Sequence, residues 1–173
     1  LAFALMFGDG SSAYLSLKLG EQKKEDAKKG VANGVLLSII ISVIFFAVAL
    51  IFLPQLLNVF GCTNALREYA LGYGYVIVLG LPFMMIGTTL NSVIRADGSP
   101  KYSMTSMIAG AILNVILDPI FIFVFNMGVQ GAAIATVISQ LLTFVMNVMY
   151  IRKFKSIKLQ KEDFKLQFSI AKK

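Results

Sequence analysis

A polytopic bundle of membrane-spanning α-helices is the fold class this sequence predicts, and three observations predict it. The 173 residues are 57% hydrophobic and 14% charged, with a mean hydropathy of +0.78. Soluble domains run near 45–50% apolar and about 25% charged. Four stretches, 31–53, 69–94, 102–125 and 131–151, hold 23, 26, 24 and 21 residues, with Asp118 as the single Asp, Glu, Lys or Arg among them. About 20 apolar helical residues cross a bilayer core of roughly 30 Å, so each stretch can span. Lastly, alternate loops carry fifteen and one of the sixteen basic residues. That is the positive-inside pattern, and it places loops 18–30, 95–101 and 152–173 in the cytoplasm of a multi-pass protein of the cell membrane.

The elements follow in order. Residues 1–7 are apolar and read as the cut end of an earlier span, which makes the chain a fragment with four complete spans. No basic region precedes them, so they do not resemble a signal peptide. The segment "SLKLGEQKKEDAKKG", residues 16–30, mixes five Lys with three acids and predicts a short amphipathic helix on the cytoplasmic surface. Span 31–53 has Asn33, Ser38 and Ser42 as its strongly polar side chains and predicts a helix that faces lipid over much of its surface.

Span 69–94 differs. Met84, Thr88, Asn91 and Arg95 keep the rhythm of one helical face, and Gly72, Gly74, Gly80 and Gly87 permit close helix approach. Such a stripe either glues helices together or lines a wet cavity. "RADGSPK", residues 95–101, predicts a tight turn. In the next span Met107, Ala111, Asn114 and Asp118 share a face, and Pro119 follows directly. "NMGVQG" predicts an outer hairpin turning on Gly128 and Gly131, and the last span repeats the polar rhythm at Thr136, Gln140, Thr143 and Asn147. Three consecutive spans thus each have one polar face. Converging, they would enclose a polar interior, which a simple anchor does not need.

Several functions are excluded or weakened. A lone Cys62 and no His leave a transition metal without its usual ligands. The net charge of +7 sits in alternating loops, a topology signal and not a nucleic-acid patch. An intramembrane aspartyl enzyme needs two adjacent carboxylates; only Asp118 lies within a span, with Asp9 near the cut edge as the one loophole.

A carboxylic acid at membrane depth costs on the order of 2.5–3.5 kcal/mol on insertion scales, so it marks function by default. A neutral Asp118 bonded to a neighbouring helix is one reading. The other is a proton or sodium site, in which the Asn114 amide oxygen and a hydroxyl such as Thr136 add ligands suited to a hard cation.

The stretches "NSVIRADGSPKYSM" and "GAILNVILDPIFIFVFNMGVQGAAIATVISQ" resemble the multidrug and toxic compound extrusion (MATE) transporters. "LKLGEQKKEDAKKG" is similar to theirs as well. The resemblance implies a twelve-helix protein of two lobes and no enzymatic activity. It further implies export of drugs or other amphipathic compounds, organic cations among them, in exchange for Na+ or H+, with no further cofactor. Residues 1–151 then correspond to the N-terminal lobe from the end of helix 2 through helix 6, and 152–173 to a basic linker toward the second lobe. The resemblance implies cation binding at Asp118, Asn114 and Thr136, and substrate contacts at Tyr73, Asn91, Met107 and Gln140. Its partners are small molecules, the bilayer and the second lobe, not nucleic acid. Alternatives are a lipid-linked saccharide flippase of related architecture and a structural membrane protein that transports nothing.

Overall fold

The computed structural model describes residues 2–151 and 154–157, all helical apart from short connections. The helices are α1 (Ala2–Gly20), α2 (Lys24–Val59), α3 (Asn64–Ala96), α4 (Pro100–Pro119) and α5 (Gly128–Ile151), with a π-helical turn, Ile120–Val124, continuing α4. Among the described residues, four helical segments, 24–59, 64–96, 100–124 and 128–151, are long and apolar enough to cross a membrane. The membrane bundle expected from composition is therefore the fold.

Helix ends share one device. After α1, α2 and α3 a residue adopts positive φ: Gln22 at 61°, Gly61 at 77° and Gly98 at 78°. The next amide then reaches back five residues: Lys23 N–H to the Lys18 carbonyl at 2.9 Å, Cys62 to Leu57 at 2.9 Å, Ser99 to Ile94 at 3.2 Å. This closure satisfies helix-end carbonyls and reverses the chain. Pro100 then opens α4 at a position where its missing N–H costs nothing.

Three expectations need correction. Residues 2–7 are not a separate apolar piece; they lie in α1, which runs unbroken to Gly20. Small residues on α1 explain this, because they let it lie against α3: Gly8 sits against Thr89 and Ser92, and the Thr89 hydroxyl donates to the Ala4 carbonyl at 3.2 Å. Residues 16–30 form no separate surface helix. They are the end of α1, a turn at 21–23 and the start of α2, while Leu15, Ala27 and Gly30 are buried between the two helices. In that turn Glu21 lies 2.7 Å from Lys18 and 3.1 Å from Lys23, which hold its carboxyl below the usual value. Finally, the turn before α5 uses Asn126 (φ 53°) and Gly128 (φ 54°), not Gly131. Gly131 is helical, and a Cβ there would lie 2.8 Å from the Phe121 backbone, so glycine is required for close approach.

Helix α3 is the centre, packing on α5, α2 and α1, whereas α4 rests mainly on α5. Ile112, Val115 and Ile116 of α4 and Ile44, Val48 and Ile51 of α2 stand exposed, as a lipid-facing surface requires. Away from that surface, Leu15, Val31, Leu90, Val93, Ile94, Tyr150, Phe154 and Ile157 form the apolar core where α1, α2, α3 and α5 meet.

Part of the expected linker 152–173 belongs to this core. Asp97, 2% exposed, accepts from the Tyr150 hydroxyl and from the Lys155 and Ser156 amides, each at 2.9 Å. The carboxylate thus fixes residues 154–157 beneath the α3–α4 turn; 152–153 and 158–173 lie outside the described residues. Hydrogen bonds to a charged acceptor contribute about 1.5–3 kcal/mol each. Asp97→Ala should therefore lower the melting temperature in detergent by several degrees and raise amide exchange at 155 and 156. Unchanged exchange there would show that the carboxylate does not hold the segment.

Candidate functional site

The polar stripes of α3, α4 and α5 converge. They border a cavity of about 470 Å³, closed on one side by Leu5 of α1. From α3 come Met84, Thr88, Asn91 and Arg95, the whole stripe read from the sequence. α4 contributes Met107, Ala111 and Asn114, and α5 contributes Thr136, Gln140 and Thr143. The fourth polar residue of the α5 stripe, Asn147, is fully buried between α3 and α5 and donates to the Gly87 carbonyl at 3.0 Å.

The wall offers acceptors. Thr88 donates to the Met84 carbonyl at 2.8 Å and Thr136 to Ala132 at 2.9 Å, each bonding one helical turn back. Thr143 does the same to Ser139 at 3.1 Å and also reaches the Ser106 carbonyl at 3.3 Å. With the hydroxyl proton spent on the helix, the oxygen lone pairs remain for a ligand. Among the described lining residues, Arg95 is the one with a formal charge.

Asn91 settles the choice between glue and cavity by being both. It is 5% exposed yet lies at the cavity wall. Its amide donates to the Ser103 carbonyl at 3.3 Å and the Ser106 hydroxyl at 3.4 Å, and its oxygen accepts from the Ser103 hydroxyl. Asn91 thus fastens α3 to α4 and has little left for a ligand. Gln140 and Met107 are free of such duties.

Asn114 and Asp118 come together, the amide donating to the carboxylate at 3.2 Å. That leaves the Asn114 oxygen as an acceptor beside the acid. Both side chains are half-buried; Asn114 lines the cavity, and Asp118 stands behind it, one turn along. Thr136 shares the cavity with Asn114 but bonds neither of the two. Directly after Asp118, Pro119 lacks an N–H, and the helix widens into the π turn, closed by the Phe125 amide on the Ile120 carbonyl at 3.0 Å. Among the described residues no three His, Cys, Asp or Glu gather. A hard cation here would draw on carboxylate, amide and hydroxyl oxygens.

Tyr73 is not brought to this cavity. It lies ten residues before Phe83, the first α3 residue on the wall, which is roughly 15 Å along a helix, and it is exposed. The sequence reading did not connect Asp9 with Ser92 and Arg95. The Ser92 hydroxyl donates to Asp9 at 2.9 Å and accepts from the Arg95 guanidinium at 2.9 Å, while Arg95 and Asp9 lie 3.7 Å apart. The signal was present: Asp9 is the one acid of α1 and stands between two glycines.

Known proteins resemble this chain in sequence and in fold. The MatE family model matches residues 1–120. The multidrug export protein MepA of Staphylococcus aureus strain MRSA252 is 33% identical over 148 residues, 86% of this chain and 33% of MepA. MepA of Staphylococcus saprophyticus is 30% identical over 145 residues, 84% of this chain and 32% of that protein. An inward-facing structure of a multidrug resistance MATE family transporter of the MOP superfamily has a TM-score of 0.93 at 28% identity, covering 99% of this chain and 39% of the other. The outward-facing conformation of such a transporter gives 0.91 at 28% identity, covering 99% and 38%. The chain spans about a third of the length of the curated relatives it matches.

The two kinds of cavity residue predict different losses. Asn91→Leu should cost on the order of 1–2 kcal/mol of stability, read as a lower melting temperature in detergent, by stranding α4 partners. Gln140→Leu should leave melting nearly unchanged. Equal melting for both would contradict the assignment of Asn91 as the tie.

Proposed function

This chain belongs to the MatE family, and from that premise we propose that it forms one helical lobe of a cation-coupled exporter of amphipathic organic compounds, organic cations among them. The observation that carries the reading is the convergence of three polar helix faces on one cavity, with the Asn114–Asp118 pair at its edge. An acid that is only half-buried within a span has a use for its charge. The cavity, apolar in Leu5, Phe83 and Met107 and acceptor-bearing elsewhere, suits a molecule with a greasy body and a cationic group.

Asp118 loads the coupling ion, Na+ or H+, with Asn114 and Thr136 supplying oxygens where the ion is sodium. Residues 152–173 lead to a second lobe that completes the cavity, and loops 18–30 and 95–101 face the cytoplasm. Export requires the ion to favour one state of the transporter over the other, and only differential affinity can do that. The likeness of this chain to both inward- and outward-facing structures supports a lobe that moves as a unit while its internal packing is kept. A flippase for pyrophosphate-linked sugars would want several basic groups on the wall, where Arg95 alone stands among the described residues.

In the complete transporter, Asp118→Asn should reduce gradient-driven dye efflux to background with membrane insertion intact. Asn114→Ala and Thr136→Ala should shift the ion concentration for half-maximal efflux upward several-fold. Normal efflux by Asp118→Asn would overturn the coupling role.

A further inference from the structure

We infer that Asp9 sets the charge preference of the cavity by neutralising Arg95, so that Asp9, Ser92 and Arg95 together are a specificity-determining unit. The inference rests on the exporter reading and adds residues that this reading does not use.

The geometry is specific. Ser92 is 2% exposed and sits between the two charges, its single hydroxyl donating to the Asp9 carboxylate and accepting from the Arg95 guanidinium, each at 2.9 Å. The charged groups themselves are 3.7 Å apart and half open, at 63% and 49% side-chain exposure. Arg95 and Ser92 both line the cavity, and Asp9 approaches from α1 behind them. Packing holds the carboxylate in place: the adjacent Gly8 sits against the Thr89 backbone, where a Cβ would lie 3.1 Å away. An exposed ion pair contributes little to stability, so folding alone gives weak reason for this one.

Its electrostatic effect on the cavity is larger. Every other described lining residue is neutral, so an uncompensated Arg95 would give the wall a net positive charge. Acting at roughly 10 Å through an effective dielectric of about 20, a unit charge changes an equilibrium by about tenfold. An organic cation would be repelled to that extent and an organic anion attracted. With Asp9 in place the pair appears to a distant ligand as a dipole, and the acceptor-bearing wall decides in favour of cations.

The test measures, in the complete transporter in membranes, the ratio of ethidium transport to that of a fluorescent sulfonate of similar size. A ratio is insensitive to the amount of folded protein. Asp9→Asn should lower it about tenfold, Arg95→Gln should raise it, and the double variant should return it near the starting value. A ratio unmoved by Asp9→Asn, or a double variant that fails to recover it, would overturn the inference. Transport of neither dye by the unaltered protein would instead count against the exporter reading itself.

Discussion

Hydrocarbon offers no hydrogen-bond partners, and that constraint organises this molecule. Each polar side chain on a spanning helix must find an acceptor on its own helix, a neighbour, or enclosed water. Several serines and threonines take the first course, as Ser42 does on Ile39 and Thr88 on Met84, while Thr89 and Ser92 of α3 reach across to α1. Asn91 and Asn147 take the second, tying α3 to α4 and to α5. Of what the helices do not absorb among themselves, Gln140 and the free oxygen of Asn114 border the cavity, while the Asn147 oxygen stays buried without a partner. The cavity is thus the place where the satisfaction of polar groups is left incomplete for a ligand.

Packing follows from the same requirement. α3 carries its polar and small residues toward its neighbours and is the central helix, while α2 and α4 turn their branched apolar residues outward. Two carboxylates show how environment divides labour. Asp97 is buried and takes three hydrogen bonds, so its oxygens are committed to structure. Asp118 has the Asn114 amide for a partner, which leaves acceptor capacity for an ion. The sequence alone suggests the reverse emphasis, because Asp97 stands in a turn where acids are ordinary.

Much of the architecture was legible because hydropathy and helical spacing are direct consequences of the bilayer. The four spans, the stripe Met84–Thr88–Asn91–Arg95 and the pairing of Asn114 with Asp118 all rest on period and length. What escaped depends on contacts between distant segments. Nothing local announces that Ser92 joins Asp9 to Arg95, or that Asp97 captures the amides of 155 and 156. Gly131 looked like a turn residue because glycine has two uses, and only the position of Phe121 tells them apart. The polar stripe of α5 divided for a similar reason: spacing cannot say where along a shared face the cavity ends and tight packing begins. Tyr73 fell on the far side of such a limit on α3.

The central claim is that three polar faces enclose water within an apolar shell. It is tested most directly by single-cysteine labelling of the complete protein in membranes, with Cys62 and every other native cysteine replaced by Ser as background. The variants Gln140→Cys and Thr143→Cys probe the cavity, and Ile112→Cys and Ile116→Cys the outward face of α4. The account predicts that a membrane-impermeant maleimide applied to opened membranes modifies the first pair at least tenfold faster than the second. Equal and slow modification of all four would mean that the polar faces meet in a dry, packed core, and the cavity reading would be wrong.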